Sequence, residues 1–223
     1  LHLNVRPAFG LTDALQNLHR MDTGLLDGFI TRCKRDLSLL AGLKQFMPLN
    51  PTGAELARLF DLLVSHYRYV VVDCSSRTDD ISRLMCDLSD QILLVAQTDV
   101  SALWSAGRIQ SWLAESNSRE KLAMVLNRYK KIPGFTDEDV ERGTNCRVLW
   151  KVPNNYHSVA GGIDRGEPIL LQDSEISRSV RGLASALVEA GTPENGAFGA
   201  EQRTDLRKRV TARFLPSPLR AGQ

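Results

Sequence analysis

A doubly wound α/β domain with a mostly parallel sheet is the fold class this sequence predicts, on three observations. Continuous apolar runs at Tyr69–Asp73 and Ile92–Ala96 have the pattern of parallel strands buried on both faces. Segments with helical spacing of apolar residues alternate with such runs, as in βαβ units. Three of the runs end in polar residues, and a parallel sheet gathers those ends at one edge, where open α/β sheets bind ligands.

Five strands are expected, at Leu37–Ala41, Tyr69–Asp73, Ile92–Ala96, Leu122–Asn127 and Val148–Val152. Between the first two, Thr52 and Glu55 form a capping box after Pro51, and Leu56, Leu59, Phe60 and Leu63 make one apolar face. Asp99 or Ser101 caps the next long helix, with Leu103, Ala106, Ile109 and Leu113 on one side. Thr136 caps a short helix, for which Asp137, Glu138, Asp139 and Glu141 supply a solvated face. Ser174 opens the last helix, with Ile176, Val180, Leu183, Ala184 and Leu187 as its stripe. From about Gly191 the composition shifts to Gly, Pro, Glu, Arg and Ser. Residues 1–190 are therefore read as the packed domain and 191–223 as a disordered basic tail.

Composition narrows the function classes. Hydrophobic residues at 43% and charged residues at 24% are globular values, and a net charge of +2 does not by itself imply a nucleic-acid or membrane partner. Cys33, Cys74, Cys86 and Cys146 lack metal-ligand spacing and read as free thiols of a reducing cytosol. No apolar run approaches the roughly 20 residues that cross a bilayer. The start at Leu1-His2-Leu3-Asn4 falls in mid-pattern, so a fragment is expected. His2, His19, His66 and His157 have no nucleophile or carboxylate arrangement around them, and His66 sits at a helix end, a structural position. Trp104, Trp112 and Trp150 lie on apolar faces and read as core.

The candidate chemistry lies at the strand ends. Asp73 closes an apolar run, which is how a Walker B carboxylate meets Mg²⁺, although an Asp capping the next turn gives the same pattern. Asn127-Arg128 and Pro153-Asn154-Asn155 close two further runs. No G-x-x-x-x-G-K-[ST] occurs, and Gly161-Gly162 and Gly166 lie in a helical stretch without fingerprint spacing.

From Leu1 to about Ala190 the chain resembles the MinD/ParA-type deviant-Walker ATPases, and within them the CpaE/TadZ pilus-assembly branch. The resemblance rests on Leu3–Pro7 through Leu11–Leu15, Tyr67–Asp73, Val125–Tyr129, Val152–Tyr156 and Gly166–Ile169, in that order and spacing. It implies a P-loop NTPase-like fold from which the first strand, the phosphate loop and the acidic switch I strand are absent. Position by position it implies Asp73 at the Mg²⁺ shell, Asn127 and Arg128 against adenine, and Pro153 and Asn154 across the base. Ser75 stands where the family usually has Pro, a departure at switch II. For the full-length protein the resemblance implies ATP and Mg²⁺, a nucleotide-switched homodimer and a cytoplasmic or pole-associated role with pilus or secretion assembly proteins. A non-enzymatic polar-localisation scaffold and a ParA-like DNA-partition ATPase are the alternatives, the latter disfavoured by the low net charge. In the tail, Leu206, Val210 and Phe214 fall four apart among Arg203, Arg207, Lys208, Arg209 and Arg213. Residues 203–215 thus suit either a solvated tail or a basic helix in peripheral membrane contact, and MinD-type proteins have such a helix.

Overall fold

The computed structural model of the chain describes residues 3, 5–42, 51–116, 118–165 and 173–190. The chain divides into two compact units, one built on Val5–Asp73 and the other on Cys74–Gly199. The tail expected at 191–223, and Gly166, lie outside the described residues.

The first unit holds α1 (Leu11–Gln16), α2 (Thr23–Phe29), β1 (Thr31–Lys34), β2 (Leu37–Leu39) and α3 (Gly53–His66). The Thr52–Glu55 box forms as expected. Glu55 N donates to Thr52 Oγ1 at 3.2 Å and Thr52 N donates to Glu55 Oε2 at 2.7 Å, which holds the Glu55 carboxyl below its ordinary pKa. The α3 face of Leu56, Leu59, Phe60 and Leu63 is buried, as are Leu15, Leu18, Leu26 and Phe29 from the preceding elements. His66 ends α3 and lies 3.3 Å from Asp27 Oδ1, consistent with a structural position. The expected Leu37–Ala41 strand is shorter and belongs to an antiparallel hairpin with β1, while Ala41 bridges Gly10 in parallel. A Cβ on Gly10 would stand 2.7 Å from the Gly42 carbonyl oxygen and 2.8 Å from that of Ala41, so the close backbone approach requires glycine.

The expected strand at Tyr69–Asp73 does not form. The segment has no ladder partner among the described residues, and Val71 is 95% exposed. An apolar run states a preference for burial, but a strand also needs a neighbour to hydrogen-bond. Asp73 therefore closes an unpaired segment rather than a strand.

The second unit contains α4 (Asp80–Leu88), β3 (Ile92–Ala96), α5 (Val100–Ala114), β4 (Leu122–Tyr129), α6 (Asp137–Thr144), β5 (Val148–Pro153), α7 (Tyr156–Arg165) and α8 (Glu175–Ala190). Its sheet has the order β3-β4-β5 with both pairings parallel, so α5 and α6 are the crossovers of two βαβ units. The predicted strands at Ile92, Leu122 and Val148 are all present. Asp99 caps α5 by accepting from Ala102 N at 2.9 Å, and Thr136 caps α6 in a box with Asp139. In α8, Ser177 N donates to Ser174 Oγ at 3.1 Å.

One register slip organises the two faces. Met124 pairs with Val148 but Val125 pairs with Trp150, so β5 carries one extra residue at that point. A slip of one residue exchanges the faces of every later side chain. Val148 accordingly joins Met124, Leu126, Ala106 and Val140 in the core under α5 and α6. Beyond the slip, Lys151 points to the α6 side, where it ion-pairs with Asp137. Trp150 points to the other side, where its Nε1 donates to Ser179 Oγ of α8 at 3.0 Å. Both faces of β5 are thus covered by helices.

Two sequence expectations need correction here. Trp104 is not core, since it is 65% exposed with the Arg108 guanidinium 5.0 Å above its ring. The acidic face of α6 is not wholly solvated, because Asp137 pairs with Lys151 and Glu141 Oε1 accepts from Val148 N at 2.7 Å. Helix α4, unforeseen, is tied at its end by a buried lysine. Lys121 Nζ donates to the Asp87 and Ser89 carbonyl oxygens, each at 2.9 Å, and fully buried Ser118 donates to Asp87 Oδ1 at 2.8 Å. Burial holds the Lys121 ammonium below its ordinary pKa, and the nearby Asp87 and Asp90 charges oppose that shift.

Gly182 tests the packing of α8 on the sheet. A Cβ there would lie 2.6 Å from Trp150 Cζ2, against a ring already held by Ser179. Gly182→Ala is expected to cost about 1–2 kcal/mol despite the better helix propensity of alanine, a fall of several degrees in Tm. Thermal unfolding of the two proteins measures it, and an unchanged or raised Tm would contradict the packing.

Candidate functional site

The carboxyl ends of β4 and β5 emerge at the same edge because the strands are parallel, with Tyr129 opposite Pro153. Asn154 N donates to the Tyr129 carbonyl oxygen at 3.3 Å, which fastens the loop after β5 to the end of β4. The structure therefore brings Asn127, Arg128, Pro153 and Asn154 to one sheet edge. Asp73 belongs to the other compact unit and is exposed.

Local chemistry shapes the β4 end. Asn127 Oδ1 accepts from Arg128 N at 2.9 Å, and Arg128 adopts φ +51°, the left-handed region. A non-glycine residue in that region is uncommon and is held by surrounding contacts, here an Asn side chain on the backbone N–H and the Tyr129–Asn154 bond just beyond. The kink ends the ladder regularity, as the register shift between Leu126 and Tyr129 shows. Arg128 is exposed and has no carboxylate in ion-pair range among the described residues.

A second layer supports these groups, and sequence reading alone did not single it out. Lys151 Nζ pairs with Asp137 and lies 4.8 Å from the centroid of the Tyr129 ring, so three elements meet beside the edge. The Asp137 hydrogen bond is the largest effect and, against a desolvation penalty and with the Asp137 charge in support, raises the Lys151 pKa. The signal was present as the parity of β5, but the one-residue slip hides which face Lys151 takes. Together the edge offers a guanidinium, two side-chain amides and a rigid proline loop, a set able to flank and hydrogen-bond a planar heterocycle. Among the described residues no cluster of three or more His, Cys, Asp or Glu is placed to hold a metal.

Comparison with known proteins places this geometry. No family model matches the chain. A putative septum site-determining protein MinD of Nephroselmis olivacea is 24% identical over 220 residues, spanning 91% of this chain and 77% of that protein. Among solved structures, a ParA family ATPase from Chlorobium tepidum superposes with a TM-score of 0.73 at 18% identity, over 82% of this chain and 76% of that one. MinD of Aquifex aeolicus, solved in complex with MinC, gives 0.69 at 22% identity, over 86% and 78%. MinD of Pyrococcus horikoshii, solved with Mg-ADP, gives 0.63 at 16% identity, over 88% and 80%. The chain is similar to these proteins along most of its length and has the fold of ParA/MinD P-loop NTPases, with a parallel sheet flanked by helices.

The Lys151–Asp137 pair makes a testable contribution. Both side chains are about one-third exposed or more, so Lys151→Met is expected to cost only about 0.5–1 kcal/mol at neutral pH. Because the folded Lys151 pKa is raised, its share of stability is fully present below the unfolded value of about 10.4 and is lost as pH rises through the folded value. Urea denaturation of both proteins at pH 7 and pH 11 should show the difference shrinking at the higher pH.

Proposed function

We propose that this chain carries the adenine side of a MinD/ParA-type ATPase, of the CpaE/TadZ kind, which acts as a nucleotide-switched dimer in positioning or assembling a pilus or secretion machine. The observation that carries the reading is the convergence of Asn127, Arg128, Pro153 and Asn154 on one sheet edge, locked by the Asn154–Tyr129 backbone bond. Arg128 would lie along one face of the adenine ring and Pro153 along the other, with the Asn127 and Asn154 amides at its polar edge. Asp73 would reach the Mg²⁺ shell through water, and Mg²⁺ would offset the phosphate charge. The likeness to MinD proteins, one of them solved with Mg-ADP, supports the choice of nucleotide.

Phosphate binding would then call for a Gly- and Lys-rich loop, which these 223 residues do not contain. The sheet supports that inference. Among the described residues strand β3 pairs on one side only, and Val95 on it is 59% exposed. The unpaired run Tyr69–Val72 is a second apolar segment without a ladder. A further strand carrying the loop would meet such needs. The same absence favours one other reading, a scaffold that keeps the fold without turning over ATP.

Two experiments bear on this. The protein expressed from its natural start should bind ATP with Mg²⁺ by titration calorimetry, and Arg128→Ala should weaken binding about tenfold, roughly 1.4 kcal/mol. Binding that the substitution leaves untouched removes Arg128 from the site, and no binding at all favours the scaffold. Residues 1–223 alone should show no ATP turnover, and Mg²⁺-dependent hydrolysis abolished by Asp73→Ala would overturn that expectation.

No helix among the described residues is long and apolar enough to cross a membrane. Peripheral contact through residues 203–215 is part of the same proposal. Co-sedimentation with anionic liposomes should fall when residues 203–223 are removed, and equal sedimentation would exclude the tail as an anchor.

A further inference from the structure

Helices α5 and α6 border an open groove of about 500 Å³, whose lining includes Trp104, Arg108, Gln110, Trp112, Glu115 and the Gly143–Asn145 end of α6. Its chemistry is unbalanced at one residue. Gln110 is only 3% exposed, yet its amide makes no hydrogen bond among the described residues. A buried amide without partners is destabilising, and one retained on a packed helix invites a ligand or an ordered water. The neighbouring hydroxyls are already engaged, Ser111 Oγ with the Gly107 carbonyl at 2.9 Å and Thr144 Oγ1 with that of Val140 at 2.8 Å.

The remaining groups define what would fit. Arg83 is shared between Glu115, at 3.2 Å, and the Trp112 ring. Arg108 lies over the Trp104 ring and has no carboxylate in ion-pair range among the described residues. Exposed apolar surface continues out of the groove along α5, from Trp104 to Val100, which is a run suited to a chain rather than to a compact molecule.

We propose that this groove docks an acidic, extended peptide segment of a partner protein. A main-chain amide of the segment meets the Gln110 amide, an apolar side chain lies between Trp104 and Trp112, and a carboxylate pairs with Arg108. The proposal does not depend on the nucleotide reading, since none of these residues belongs to the strand-end site.

Gln110→Met, close to glutamine in volume and free of polar hydrogen, separates a ligand-directed amide from a structural one. In the whole chain it is expected to raise Tm by about 3 °C or more, because a vacant hydrogen-bonding demand is removed. Selection of a random heptapeptide library displayed on phage against the same chain is expected to enrich sequences with Asp or Glu beside a large apolar residue. Their synthetic peptides should bind at least tenfold more weakly to Gln110→Met and to Arg108→Ala. A lowered Tm for Gln110→Met would mean that ordered water already satisfies the amide, and would overturn the proposal. So would failure to enrich, or enriched peptides that bind all three proteins alike.

Discussion

Strand β4 is the member on which the second unit depends, because among the described strands it alone pairs on both sides in parallel and its central residues Ala123–Leu126 are buried. Parallel pairing imposes two conditions at once. Every strand must enter and leave at the same edges, and each connection must cross over through a helix. Those conditions place α5 and α6 together over Met124 and Leu126, and they deliver the ends of β4 and β5 to a common edge. The strand-end residues are neighbours for a topological reason, before any side-chain contact is considered.

The slip at Val148–Trp150 adds what uniform pairing would lack. Without the extra residue, Trp150 would share the face of Val148 and crowd the α5–α6 core, while Lys151 would turn its ammonium toward α8. With it, the largest side chain of β5 meets Gly182 and Ser179, and the charged one meets Asp137. A bulge next to a ligand-facing edge is a familiar way to re-aim side chains. Here it also protects the outer edge, since Lys151, Pro153 and the broken register all discourage further pairing. Strand β3 carries none of these devices. Its five residues are apolar and pair with β4 in unbroken register, so the two edges of one sheet are unlike.

Much of this was legible in the sequence where a local rule decides the outcome. Caps were readable because Thr52, Asp99 and Thr136 act on backbone groups three residues away. The strands at Ile92, Leu122 and Val148 were readable because their apolar runs also have neighbours. Tyr69–Asp73 has an equally apolar run and no ladder, and nothing within the run itself distinguishes the two cases. The hairpin strand Thr31–Lys34 was missed for the opposite reason, its alternation of half-buried and exposed residues being carried by polar side chains. Trp104 illustrates a third limit. Helical spacing puts it within one turn of buried Ala106, but its position on the rim of the α5 face turns it outward. Of the candidate site, the pairing of Asn127-Arg128 with Pro153-Asn154 could be anticipated from parallel topology, whereas the Lys151–Asp137–Tyr129 support could not, because it follows from the slip.

The division of labour in the strand-end site follows from these same facts. Its groups are held by backbone geometry: the left-handed Arg128, the Asn127 cap on its N–H, and the Asn154–Tyr129 bond. None of these needs a phosphate ligand to form, so a planar-ring site of this kind is organised in advance and loses little freedom on binding. Recognition of a base and neutralisation of phosphate are therefore separable in this architecture. On the proposed reading, a chain that keeps the first without the second would hold nucleotide by stacking and a few amide contacts alone. Such contacts discriminate among bases but supply little of the free energy that the charged phosphates would add. On the proposed reading, that asymmetry leaves the choice of ligand to the sheet edge and any nucleotide switching to a Gly- and Lys-rich loop.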